Sequence, residues 1–122
     1  MKKILIASLM LVAANTAFAA KTNIPLAAGI TAVTTGACAA ATGSLMQQNV
    51  NINLSAANIG NVSCDSTTST IGVAVSNTSG KFNVYAASTA GGGVHATATS
   101  PLAAAPVAGD LSAGADLESD KT

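Results

Sequence analysis

The chain is poor in the residues that usually do chemistry or hold a large core. Its 122 residues contain no Arg and no Trp, one His and two Cys, and charged residues make up 8%. Aromatics are 2%, and only Phe82 and Tyr85 lie beyond the first 19 residues. A nucleic-acid partner requires a basic face, and without Arg and with few lysines none can be built. Two cysteines cannot supply the four ligands of a structural zinc site. The four acids at Asp110, Asp116, Glu118 and Asp120 lack calcium-loop spacing. The sequence holds no GxSxG elbow and no HExxH pair. Gly91-Gly92-Gly93 lacks the Lys and Ser/Thr of a phosphate-binding loop and reads as a turn. The single His95 has no orienting acid or nucleophile nearby in sequence. The expectation is therefore a non-enzymatic protein with no metal and no cofactor.

What is present begins at the N-terminus. Lys2 and Lys3 precede the apolar run Ile4 to Ala14, and Ala17-Phe18-Ala19 is a small-x-small cleavage pattern. This reads as a secretory signal peptide over residues 1–19, cut before Ala20, and the run is too short to span a bilayer. Export places the protein in the periplasm in transit and then at the cell surface or outside. Loss of the leader leaves three lysines against five acids, a net charge of −2. About 100 residues then remain, a single-domain length. In an oxidising compartment Cys38 and Cys64 read as a disulfide. Closing a loop of that size is worth about 3.5 kcal/mol in the chain-entropy account. The crowded acids of the last stretch read as a solvated end.

Helix signals are weak because Gly and β-branched residues recur. Short alternating runs recur instead. Ile24, Leu26, Ala28, Ile30 and Ala32 share one parity, with Pro25 and Gly29 on the other. Val50, Ile52 and Leu54 alternate with asparagines; Ile71, Val73 and Val75, then Phe82, Val84 and Ala86, repeat the pattern, and Val94, Ala96 and Ala98 do so weakly. Val62 and Cys64 share a parity that points the thiol inward. Turn signals fall at residues 34–36, 57–60, 65–69, 77–80 and 91–93, and Pro101 to Pro106 breaks any strand. These spacings predict an all-β protein, a small disulfide-stapled β-sandwich. Residues 20–33 form an N-terminal extension and 34–122 the β domain. The alternating extension is either an ordinary first strand or a strand lent to a neighbouring subunit. In a lent strand, main-chain bonds would add to an open edge while alternate side chains fill pockets.

These residues resemble a known family. An alternating N-terminal segment leads to Thr35-Gly36-Ala37-Cys38, and a second cysteine follows in Gly60-Asn61-Val62-Ser63-Cys64-Asp65, before the alternating Ile71 to Val75. The pattern, over roughly residues 20–85, resembles the chaperone–usher fimbrial subunits, most of all the spore coat protein U and archaic pilin branch. The resemblance implies an immunoglobulin-like sandwich lacking one strand. It also implies a fimbria or pilus built by donor-strand exchange, serving adhesion or biofilm formation. Ile24, Leu26, Ala28 and Ile30 would be the donated side chains and Cys38–Cys64 the bridge. The partners would be copies of the chain or related subunits, a periplasmic chaperone and an outer-membrane usher. Such subunits end in a hydrophobic alternating strand, whereas this sequence ends Leu117-Glu118-Ser119-Asp120-Lys121-Thr122. The rival expectation is a small secreted monomeric binding or inhibitory protein.

Overall fold

The computed structural model describes residues 21–40 and 43–121. The expected leader, the first residue of the extension (Ala20), and Ala41 and Thr42 lie outside the described residues. The described chain is mostly β, with strands β1 (Lys21–Leu26), β2 (Gly29–Val33), β3 (Val50–Leu54), β4 (Asn58–Asp65), β5 (Thr70–Asn77), β6 (Val84–Ser88) and β7 (His95–Ala96), then one helix, α1 (Ala108–Ser119). Five strands form an antiparallel sheet in the order β1-β4-β5-β6-β7, and β2 pairs with β3 as a separate two-stranded sheet.

Turn chemistry sets the register of the central hairpin. The Asp65 carboxylate accepts hydrogen bonds from the backbone N–H groups of Thr67 (2.7 Å) and Thr68 (3.3 Å), which folds the chain back after β4. The Asn77 side chain does the same for Ser79 after β5, at 2.8 Å, and Gly80 follows at φ +85°. The hairpin thereby pairs Val62 with Val73 and Cys64 with Ile71. Alternation then sends Val62, Cys64, Ile71 and Val73 to one face of the sheet and Ser63, Gly72 and Ala74 to the other.

Each face has its own cover. On the first, Val62 and Cys64 pack with Leu26, Val33 and Cys38, flanked by Ile24, Leu45, Met46, Ile52, Leu54, Ile71 and Val73. This layer lies between the five-stranded and two-stranded sheets. The Cys38–Cys64 disulfide forms as expected, with Cα atoms 5.2 Å apart, inside the usual range. It joins the segment after β2 to β4, and both cysteines are buried. On the second face, Ala74, Val84 and Ala86 pack against Leu111 and Ala115 of α1.

The structure differs from the sequence reading in three places. The acidic stretch is not a solvated end. It forms α1, and its Glu118 and Ser119 are buried. The turn expected at residues 57–60 closes earlier, because Asn58 N–H donates to Ser55 O and Ala57 takes φ +64°, so Asn58 to Gly60 belong to β4. The single parity of residues 24–32 is broken at Ala27–Ala28, with Gly29 at φ +96°. The run becomes two strands in different sheets.

Helix α1 has little helical propensity of its own, with two glycines in twelve residues. Its stability comes from docking. Small residues on the sheet allow an unusually close approach: a Cβ at Gly72 would overlap the Ala115 carbonyl oxygen and lie 2.6 Å from the Ser119 nitrogen. These are backbone atoms and cannot swing aside. We therefore expect Gly72→Val to lift the C-terminal half of α1 and cost about 3 kcal/mol, read as a lower urea midpoint with loss of helical signal. A midpoint equal to that of the parent would contradict this packing.

Candidate functional site

The sequence-predicted residues fall on β1, on the link to β2 and on β2 itself, and at the Cys38–Cys64 bridge. Strand β1 is bonded on one side by β4, in register from Lys21 opposite Asp65 to Leu26 opposite Gly60. Its other side has no strand partner among the described residues. Pro25 lies within this edge strand, a position where a missing N–H is tolerated. Of the four candidate donor side chains, Leu26 is buried at 3% exposure and Ile24 is half-buried beside it. Ala28 is exposed in the link to β2, and Ile30 is 72% exposed on the outer side of β2. The four therefore do not share one face in the folded chain. Cys38 and Cys64 are brought together.

The end of α1 is held by polar groups that sequence spacing did not reveal. A helix leaves its last four carbonyls without internal partners; here the residues after it bond Asp116 O and Glu118 O, and the sheet adds further donors. Lys21 Nζ donates to Asp116 O at 3.4 Å, Ser88 Oγ to Glu118 O at 2.8 Å and Thr68 Oγ1 to Ser119 O at 2.6 Å. Thr70 Oγ1 donates to Lys121 O just beyond, at 2.9 Å. The Ser63 hydroxyl, fully buried, donates to Asp116 Oδ1 at 2.6 Å. No buried side-chain N or O atom among the described residues lacks a partner, the condition for a polar seam to be stable rather than costly.

His95 belongs to this seam. Its Nε2 is 2.9 Å from Glu118 Oε1, while its Nδ1 is 3.3 Å from Gly93 O. The second carboxylate oxygen of Glu118 takes Lys121 Nζ at 2.8 Å. Both ring nitrogens thus face oxygen acceptors, and no hydroxyl or thiol is bonded to the imidazole among the described residues. The geometry ties β7 to α1 and presents no base–nucleophile pair. The partner of His95 is 23 positions away in the sequence and becomes a neighbour only when α1 docks.

A groove of ≈ 360 Å³ opens on the face of the large sheet away from α1, with Leu54, Val75 and Tyr85 among its walls. No helix among the described residues is long and apolar enough to cross a membrane. Comparison of the chain with protein-family models, with curated proteins and with solved structures finds no match.

The ion pair of Lys21 has a defined pH signature. The Asp120 carboxylate bonded to Lys21 Nζ at 2.6 Å raises the lysine pKa above 10.5, against the opposing effect of burial and with further support from the charges of Asp120, Asp116 and Asp65. A raised lysine pKa stabilises the folded state fully below the unfolded value and loses that contribution as pH rises through the folded one. Asp120 is more than half exposed, so solvent screening holds the pair to about 0.5 kcal/mol. Lys21→Met should therefore lower unfolding stability by about that amount at neutral pH. The gap to the parent should stay constant to about pH 10 and close above it; a gap independent of pH up to about 12 would refute the assignment.

Proposed function

We propose that the chain is a structural subunit of a bacterial surface fibre, exported with loss of residues 1–19 and assembled by strand exchange between copies. The observation that carries this reading is the double character of β1. It is an edge strand, held to the rest of its sheet by a single ladder. It nevertheless supplies Leu26 and Ile24 to the layer between the sheets. Its link to the body passes through Ala27–Ala28 to Gly29 at φ +96°, a short joint at which the strand can change direction. A neighbour's β1 can close the β4 edge in the same register, which is the economy of domain swapping.

The resemblance in the sequence supports the same reading, with a periplasmic chaperone and an outer-membrane usher as transit partners and adhesion or biofilm formation as the role of the fibre. The disulfide in a chain of this size is compatible with export. The reading is non-enzymatic.

A second reading is a small secreted monomeric binding protein. It is favoured by the full six-residue pairing of β1 with the β4 of its own chain.

The two separate in a thiol-trapping experiment. Lys21 and Asp65 are register partners. Lys21→Cys and Asp65→Cys are prepared as separate full-length exported chains, mixed, and oxidised mildly. Strand exchange should give covalent dimers linking position 21 of one chain to position 65 of the other. If the mixture stays monomeric while the double variant cross-links within one chain, β1 is intramolecular and the fibre reading fails.

A further inference from the structure

The groove on the face of the large sheet away from α1 has a rim that the strand-exchange reading does not use. Val75 and Tyr85 are opposite partners on β5 and β6, so their side chains stand together on one face. Leu54, from the end of β3, also lines the groove. The two-stranded sheet covers Val62 and Val73 but stops short of Tyr85, which is 45% exposed. The result is a short apolar floor with an aromatic ring at its side.

The rim is polar and largely unspent. Asn58 accepts from Asn77 Nδ2 at 2.9 Å and donates to Ser55 Oγ at 2.6 Å, which fixes its amide plane. Asn83, Tyr85 and Lys81 also line the groove. None of these three has a side-chain hydrogen bond to another described residue. Lys21 and Lys121 are each paired with a carboxylate, whereas Lys81 has no ion-pair partner among the described residues. No Asp or Glu lines the groove. Among the described residues, the lysine without a carboxylate partner thus stands at this groove.

We infer that this groove binds a sugar ring bearing a carboxylate, that is, a uronic acid. The carboxylate meets Lys81, a lysine with no competing acid. The apolar C–H face of the ring lies on Tyr85 and Val75, the use to which an amphipathic aromatic is suited. The ring hydroxyls pair with the amide of Asn83, which offers both a donor and an acceptor, and with the one N–H and one lone pair that Asn58 has left. A fatty carboxylate would leave those amides unmatched. A peptide strand would need a free main-chain edge, but Val75 and Tyr85 lie on strands that are paired on both sides. The volume of ≈ 360 Å³ falls within the range of about 300–1,000 Å³ typical of small-ligand sites. The site does not rest on the assembly reading, because β6 is separated from β1 by β4 and β5.

The test is titration of the ¹⁵N-labelled exported chain with D-glucuronate, D-glucose, acetate and a short oligogalacturonate, followed by amide chemical shifts. Glucuronate should shift residues 81–85 and the Asn58 and Asn77 amides, at least tenfold more tightly than glucose or acetate. Lys81→Met should weaken glucuronate binding at least tenfold, while Lys81→Arg retains it. Tyr85→Ala should weaken both uronates. Tighter binding of the oligomer than of glucuronate points to an acidic polysaccharide, and equal binding to a free or terminal uronate. Unchanged spectra outside the groove show that the variants remain folded. The inference fails if glucuronate shifts nothing, if glucose or acetate binds as well, or if Lys81→Met binds as the parent does.

Discussion

The Cys38–Cys64 bond is the constraint on which the arrangement of two sheets depends. A two-stranded sheet is marginal by itself in water, and β2–β3 offers only Val33, Ile52 and Leu54 as substantial apolar contacts to the layer beneath. No aromatic side chain belongs to the buried layer between the sheets, so the large burial that aromatics bring to most cores is missing. The bridge compensates by tying the segment after β2 to β4, the strand that lies between β1 and β5. With the cysteines 26 positions apart, the entropy removed from the unfolded chain corresponds to about 3.5 kcal/mol, a large share of the stability of a small domain.

The opposite face is held by a different kind of interaction. Alanine and glycine on β5, β6 and α1 bring the helix backbone close to the sheet, and at that distance hydroxyls on the sheet can reach the helix carbonyls. The two effects reinforce each other. Close approach is tolerable because Ser88, Thr68 and Thr70 add donors to the carbonyls at the end of the helix and just beyond it. Those short side chains reach only because Gly72 has no Cβ to hold the helix away. The abundance of Ser, Thr, Ala and Gly in the chain, which reads as low information in the sequence, is what this interface is made of. The two faces therefore differ: one is packed closely against the helix, whereas the other keeps the groove beside Tyr85.

The strand pattern was legible because alternation is a local signal. Val50 to Leu54, Ile71 to Val75 and the inward parity of Val62 and Cys64 all survive into the fold. Turn chemistry at Asp65 and Asn77 was legible for the same reason. Helix α1 was not, because a sequence of small and acidic residues becomes helical only against a sheet surface shaped to receive it. The pairing of His95 with Glu118 and the sharing of one groove by Leu54 and Tyr85 join residues far apart in the chain, and no spacing marks them in advance. The break at Ala27–Ala28 was hidden because the apolar parity continues across it, while Gly29 carries the change of direction.

The bridge fastens the small sheet, and the polar seam fastens the helix. Amide hydrogen exchange on the intact chain and on the double variant Cys38→Ala/Cys64→Ala separates the two. The account predicts that removing the bridge strips protection from the amides of β2 and β3, while those of β4, β5 and α1 remain protected. Protection of β2 and β3 at the parent level without the bridge would contradict it, as would loss of protection in all of these elements together.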